Sequence, residues 1–163
     1  MAIVIRKPGQ IGALLRRQLE RDRDLVARVA LETAQRGLAK AIAETDRQGL
    51  VDRGTFKLSW KAERVPGGAE LRNDAPYAAV IEYGRRPGRP GPPLAPILAW
   101  VHRKLVANGQ VQEKDAEEAA RDIRDKIHFA GSPPHHILTD LVPDLRRWFK
   151  TEALRRLKRR HGN

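Results

Sequence analysis

Residues 55–73 have the sequence TFKLSWKAERVPGGAELRN, and this stretch decides the fold class. Apolar and polar residues alternate over Thr55–Ala62 and again over Ala69–Asn73, which is the pattern of half-buried β-strands. Pro66-Gly67-Gly68 lies between the two runs and predicts a tight turn. The stretch therefore predicts an antiparallel hairpin.

The segment before the hairpin predicts a long amphipathic helix, or two in series. Residues 10–48 contain no proline, and the charged run Glu20–Asp24 interrupts their apolar stripe. An unbroken helix here would measure roughly 60 Å, so we expect either a bend near Arg21–Asp24 or a first half that rests on a neighbouring subunit. Gly49 predicts the helix end. The apolar residues at helical spacing are Ile11, Leu14, Leu15, Leu25, Val26, Val29, Leu38 and Ile42.

More helices and two short strands are predicted after the hairpin. Tyr77–Gly84 is apolar enough to be buried, as a helical turn leading into a strand. Leu94–Val106 and Asp115–Phe129 have helical patterns, and His135–Thr139 could be a short strand. A last helix, capped by Thr139 or Asp140, extends to about Arg160.

These elements predict an α+β fold, with a small antiparallel sheet (the hairpin plus strands) packed by the long N-terminal helix and the C-terminal helices. The chain has 163 residues, the size of a single domain. Within it, residues 85–93 (RRPGRPGPP) predict a mobile loop, because proline and glycine prevent both a ladder and a helix. Residues 140–161 predict a basic C-terminal helix.

Composition narrows the function classes. A net charge of +12 favours polyanions or acidic protein faces as partners. The absence of cysteine removes disulfides, thiolate metal sites and a cysteine nucleophile, and suits a reducing cytosol. The apolar run at the N-terminus is too short for the core of a signal peptide, and no apolar stretch is long enough to span a membrane. We therefore expect no membrane partner.

Three blocks of sequence resemble the tail-completion family of tailed bacteriophages, also described as minor tail, head–tail joining or morphogenesis proteins. Val51–Trp60 is similar to the family's "V-D-T-G-x-L/F-x-x-S" opening, although Arg53 replaces the usual Thr. Asn73–Gly84 is similar to its "N-x-x-x-Y-A-x-x-x-E-x-G" block. Pro133–Thr139 resembles the "P-x-P-x-L-x-x-A" element before the last helix.

The resemblance implies a structural virion subunit, not an enzyme, that forms a ring, expected to be a hexamer, at the head–tail junction or the tail end. Its partners would be further copies of itself and neighbouring neck and tail proteins, namely the head-completion or stopper ring and the tail tube, with possible non-specific DNA contact in the lumen. It would work without cofactor or metal, in the virion and, during assembly, in the host cytoplasm. The residues expected to have a structural role in these three blocks are Asp52, Gly54, Trp60, Tyr77, Tyr83, Gly84, Pro134 and Leu138.

Charged residues in two regions are the candidates for the ring or partner interface. Three guanidinium groups on a proline-stiffened loop, Arg85, Arg86 and Arg89, suit acidic protein faces or phosphate. Glu82 could position a carboxylate for an arginine of the same or the next subunit, or simply lie on the solvent side of a strand. The last helix is dense in basic residues and could contact an acidic neighbouring ring or DNA. Its interface candidates are Arg155, Arg156, Arg159 and Arg160.

Two other classes of function stay open. Charge alone would fit a basic nucleic-acid-binding protein or a toxin-like ribonuclease, whose acid–base residues would have to come from His135, His136 and Glu82. The chain could also be a portal-bound adaptor or a transient tail assembly factor. Adjacent histidines on a strand point to opposite faces, so the His135-His136 pair is a poor predictor of a metal site.

Overall fold

The computed structural model describes residues 8–50 and 52–162, with side chains from residue 16 onward, and confirms the α+β class. It is 67% helical with a two-stranded antiparallel sheet. The order is α1 (Pro8–Arg47), α2 (Thr55–Leu58), β1 (Trp60–Val65), β2 (Gly68–Asn73), α3 (Ala78–Tyr83), α4 (Leu94–Val101), a π-helical turn (His102–Val106), a 3-10 turn (Glu113–Asp115), α5 (Ala116–Ala130) and α6 (Ile137–His161).

Helix α1 is uninterrupted for 40 residues, including the charged run at residues 20–24. It pairs antiparallel with α6. At one end the Gln48 amide donates to the backbone oxygen of His135 (3.2 Å), and at the other Arg160 donates to the backbone oxygen of Arg21 (2.6 Å). Leu25, Val29 and Ala153 are buried between the two helices, and the partly buried Trp148, Phe149 and Leu157 pack against them. The expected stripe residues Ile11, Leu14 and Leu15 lie outside the described side chains.

The hairpin packs on α1 and is shorter than the sequence predicts. Its register pairs Trp60 with Asn73 and Val65 with Gly68. Thr55–Leu58, expected to be part of the first strand, is instead the short helix α2. The reason is burial: a helical turn brings Phe56 and Trp60, four residues apart, into one core, whereas a strand would also have buried Leu58, which is 80% exposed.

The two extra strands are absent from the described residues, so that part of the prediction is wrong. Within Tyr77–Gly84, residues 78–83 form helix α3, and no strand follows it in the described part of the chain. Arg85 forms one isolated antiparallel bridge with Ser132. His135 donates its backbone N–H to the oxygen of Ile81 (2.9 Å) without joining a sheet. Helix α6 begins at Ile137, immediately after this contact.

Helices α4 and α5, both predicted from the sequence, form a second, smaller core. Val101, Ala116 and Ala120 are buried between them. Small residues on α5 allow the two helices to approach closely. The Arg103 guanidinium binds Asp52, which links this unit to the turn before α2. Across residues 8–50 and 52–162, no helix is long and apolar enough to cross a membrane.

Gly84 should tolerate a side chain far less than Gly49. Both have positive φ, but a Cβ at Gly84 would lie 2.5 Å from the Ser132 oxygen and 2.8 Å from the Pro134 nitrogen, while nothing lies within 4 Å of one at Gly49. We expect Gly49→Ala to lower the free energy of unfolding by about 1 kcal/mol, from backbone strain alone. Gly84→Ala should cost about 3 kcal/mol or more. Urea unfolding measures both, and equal losses would mean that the close approach at Gly84 is absent.

Candidate partner-binding surface

The three blocks that carry the resemblance lie together in the main core. Phe56 and Trp60 come from the first block, Ala75 from the second and Ile137 from the third, and all four belong to one buried cluster. The Asn73 side-chain amide donates to the backbone oxygen of Phe56 (2.8 Å). Segments far apart in sequence therefore form one structural unit.

Glu82 joins the second block to the third. Its side chain is buried, and its carboxylate accepts hydrogen bonds from the backbone N–H groups of Leu138 (3.0 Å) and Thr139 (2.7 Å) and from the Thr139 hydroxyl (2.8 Å). These N–H groups have no partner inside α6, because they lie in its first turn. The carboxylate also faces the positive end of the helix dipole. Glu82 thus caps α6 from another helix.

This contact corrects two sequence predictions. Glu82 neither pairs with an arginine nor lies on the solvent side of a strand. The expected cap, Thr139 or Asp140, is also wrong, because α6 starts earlier, at Ile137, and takes its cap from Glu82. An interface role for Glu82 is therefore replaced by a structural one.

The bridge after α3 positions the arginine loop. Arg85 and Ser132 exchange two backbone hydrogen bonds of 2.9 Å each. Gly131 is required there, because its φ is 74° and a Cβ would lie 2.1 Å from the Arg85 oxygen. Further along the loop, Gly88 donates to the backbone oxygen of His128 (2.7 Å). The loop is thereby held against the last turn of α5 and against the segment that follows it.

A groove of about 700 Å³ runs between α3 and this loop, and we call it the α3–loop groove. Tyr77 is 43% exposed and Val80 is 38% exposed in its wall, although the sequence predicts that this segment is buried. Tyr83, at 71%, is also exposed. The lining residues are Pro76, Tyr77, Val80, Gly84, Arg85, Arg86, Arg89, Pro90, Gly91, Pro92 and Pro93.

The groove brings the three loop arginines to one site. Arg86 and Arg89 are exposed and form no ion pair with the described residues. The Nε of Arg85 is buried and has no hydrogen-bond partner within the described chain. A buried donor without a partner within the chain carries a desolvation cost.

Sequence reasoning identified the arginines of this groove but missed its apolar wall. Val80 was not singled out, and Tyr77 was expected to be buried. The signal was available in the spacing of Tyr77, Val80 and Tyr83, which recur every three residues and share one side of a short helix.

The C-terminal arginines have a different setting, because three of the four candidates are engaged within the chain. Arg155 and Arg156 both bind Glu152, and Arg156 also binds Glu32 of α1 (2.6 Å). Arg160 lies 3.5 Å from Asp22. Arg159 is exposed, without an ion pair among the described residues. The basic end of α6 therefore holds α1 as well as presenting charge to solvent.

These ion pairs lower carboxyl pKa values. Hydrogen bonds from Arg155 and then Arg156 lower the pKa of Glu152 to about 2. The same cause acts at Asp52, whose pKa is lowered chiefly by the hydrogen bond from Arg103. Next to it, Gly54 adopts a φ of 78° at the start of α2, a conformation that glycine takes at little cost.

The histidines do not form a metal centre. No group of three or more His, Asp or Glu side chains suited to a metal ion occurs in the part of the chain that the structure describes. His135 bonds instead through its Nδ1 to the Gln48 side-chain oxygen (2.6 Å), and His128 through its Nδ1 to the Arg89 backbone oxygen (2.7 Å).

Comparisons with known proteins give no indication of function. The chain matches no protein-family model, no curated protein and no solved structure.

Removing the Glu82 charge should destabilise the fold. Glu82→Gln keeps the side-chain size but presents an amide N–H₂ to donors that need acceptors, so we expect a loss of about 2 kcal/mol. Asp140→Asn changes an exposed carboxyl in the same helical turn and should cost less than about 1 kcal/mol. Urea unfolding and hydrogen exchange at the Leu138 and Thr139 amides test this; an Asp140 effect as large as that of Glu82 would contradict the cap assignment.

Acid should weaken the ion pairs that Glu152 forms with Arg155 and Arg156 within α6. Because its folded pKa is lowered from 4.5 to about 2, its stabilising contribution is complete above pH 4.5 and is lost as pH falls towards 2. Carbon-13 NMR of the Glu152 carboxyl should give a midpoint near 2. In Arg155→Met the midpoint should rise, because the principal donor is gone. A wild-type midpoint near 4.5 would show that the ion pairs do not form in solution.

Proposed function

We propose that this chain is a structural subunit of a tailed bacteriophage particle, forming a ring at the head–tail junction or the tail end. The observation that carries the proposal is the convergence of the three motif blocks. They are separated in sequence, yet Phe56, Ala75 and Ile137 share one core and Glu82 binds the start of α6. Packing of the three blocks in one core is what a shared structural role for them requires.

The reach of α1 supports an assembled state. Helix α6 ends at His161, which lies 3.3 Å from Asp22, so residues 8–20 of α1 extend about 20 Å past its paired helix. Leu19, on this extension, is 60% exposed. A helix that extends beyond its own core is suited to contact a neighbouring subunit in a ring.

The second candidate is a basic nucleic-acid-binding protein or a toxin-like ribonuclease. Four exposed basic residues of α6 that form no ion pair with the described residues favour phosphate contact: Arg146, Lys150, Lys158 and Arg159. A ribonuclease is less well supported, because two of its three possible acid–base residues are engaged. Glu82 is buried as a helix cap, and His135 is bonded to Gln48.

A gene deletion with complementation tests the proposed function. Without the chain, DNA-filled heads and tails should accumulate separately, and the wild-type gene should restore joined particles. Arg86→Ala with Arg89→Ala should fold but fail to restore joining, because it removes charges from the α3–loop groove. Arg64→Ala, an exposed arginine on the hairpin, is the matched control and should restore it.

The outcomes separate the alternatives. Normal joined particles in the deletion would contradict the proposal, and loss of host RNA on expression of the chain would support the ribonuclease instead. A chain required for joining but missing from finished particles would identify a transient assembly factor. In the joining-defective variant with Arg86→Ala and Arg89→Ala, a chain that stays on the unjoined heads would identify a portal-bound adaptor.

A further inference from the structure

The α3–loop groove has the character of a protein-docking site. It combines the guanidinium groups of Arg85, Arg86 and Arg89 with an apolar wall that includes Tyr77 and Val80. Such a combination matches the usual interface arrangement, in which an apolar centre is bordered by charged groups. Its occupant should therefore be acidic and carry an aromatic or aliphatic anchor.

Helix α5 presents a surface of this complementary kind, which we call the α5 stripe: Glu118, Asp122 and Phe129. Their spacing of four and then seven residues places them on one side of the helix. Phe129 is 74% exposed, and Glu118 and Asp122 are exposed and form no ion pair with other described residues. Asp115 lies one turn before Glu118, and the carboxylates of Asp115, Glu118 and Asp122 line a shallow cleft of about 410 Å³.

The stripe and the groove of one chain face different directions. The loop contacts α5 through His128, whose Nδ1 lies 2.7 Å from the Arg89 oxygen, and through Arg124, whose Cγ would be 2.8 Å from a Cβ at Gly91. At about 100° per residue, the stripe is turned roughly 100° to 140° around the helix from these contacts. A chain cannot therefore fill its own groove with its own stripe.

We propose that the α5 stripe of one copy docks into the α3–loop groove of the next copy, head to tail. Phe129 would lie against Tyr77 and Val80, and the stripe carboxylates would face Arg86 and Arg89. Two different surfaces joined in this way generate a ring when the rotation between copies closes. The ring rests on the proposed function, whereas the pairing of the two surfaces rests on their charge, exposure and direction.

A copy of this chain fits the groove better than nucleic acid does. Phosphate binding requires positive charge but no apolar wall. The groove supplies both, and the matching acidic surface with an exposed aromatic residue is on the same chain. Nucleic acid in the groove is an outcome that the experiment below detects.

The absence of cysteine from the chain allows a direct cross-linking test. Pro90→Cys places a thiol at the groove and Asp125→Cys places one beside the stripe. In a mixture of the two purified full-length variants, a bis-maleimide should join them about tenfold faster than it joins Asp125→Cys to Pro66→Cys, the hairpin-turn control, as expected for a specific contact held partly by opposite charges. Equal rates for both pairs would overturn the proposal.

Charge reversal tests the same contact without depending on one pair of thiols. Arg86→Glu with Arg89→Glu in the groove variant should lower the cross-linking rate about tenfold, because like charges then face each other. Adding Glu118→Lys with Asp122→Lys to the stripe variant should restore it. Failure of this rescue, with both proteins folded by circular dichroism, would overturn the pairing.

Two further results separate this inference from the proposed function. If the groove substitutions reduce binding to a double-stranded DNA oligonucleotide and leave cross-linking unchanged, the groove is a nucleic-acid site and the inference is wrong. If the chain forms a ring in particles but the cysteine pair in those particles does not cross-link, the proposed function stands and the interface is wrong. Cross-linking in solution by a chain absent from particles supports the interface and contradicts the function.

Discussion

The structure depends most on the carboxylate of Glu82 at the first turn of α6. Its oxygens accept the backbone N–H groups of Leu138 and Thr139, and the residue is only 7% exposed, so α3 and α6 are fixed to each other by charge-assisted hydrogen bonds. Helix α6 in turn forms the long antiparallel pair with α1, against which the hairpin packs. A buried carboxylate without these donors would be strongly unfavourable, so its partners and the start of α6 are set together.

The same short helix also sets the position of the arginine loop. Because α3 is held by α6, Gly84 lies against Ser132 and Pro134, and Arg85 pairs with Ser132 immediately afterwards. The basic residues responsible for the net charge of +12 consequently have two different roles. Arg156 and Arg160 near the end of α6 bind acidic or backbone groups of α1, whereas Arg86 and Arg89 remain open to a partner. The density of basic residues in the sequence does not distinguish arginines that bind within the chain from arginines that stay exposed, because the difference depends on which helix packs beside them.

The sequence predicts the elements well where one pattern dominates, and less well where two patterns are compatible. The hairpin turn, the long first helix and the two helices of the smaller core follow from turn residues and helical spacing. Residues 55–60 satisfy both alternation and a four-residue helical spacing, and burial of Phe56 with Trp60 decides for the helix. The cap on α6 could not be predicted, because Glu82 is more than fifty residues away from Leu138. Similarly, the sequence locates the loop arginines but not the exposed tyrosine side of α3 that completes the groove.

The three motif blocks share one core, and the exposed groove and stripe are the surfaces that we propose for contact with other subunits. Glu82 and the glycines of the bridge build the groove, and the α5 stripe offers a surface of opposite charge. The most direct measurement is cryo-electron microscopy of purified particles of the phage that encodes this chain, at a resolution that distinguishes helices. We expect a ring of density at the neck or tail end into which the α1–α6 pair and the hairpin fit. Particles whose density is fully explained by other proteins would contradict it.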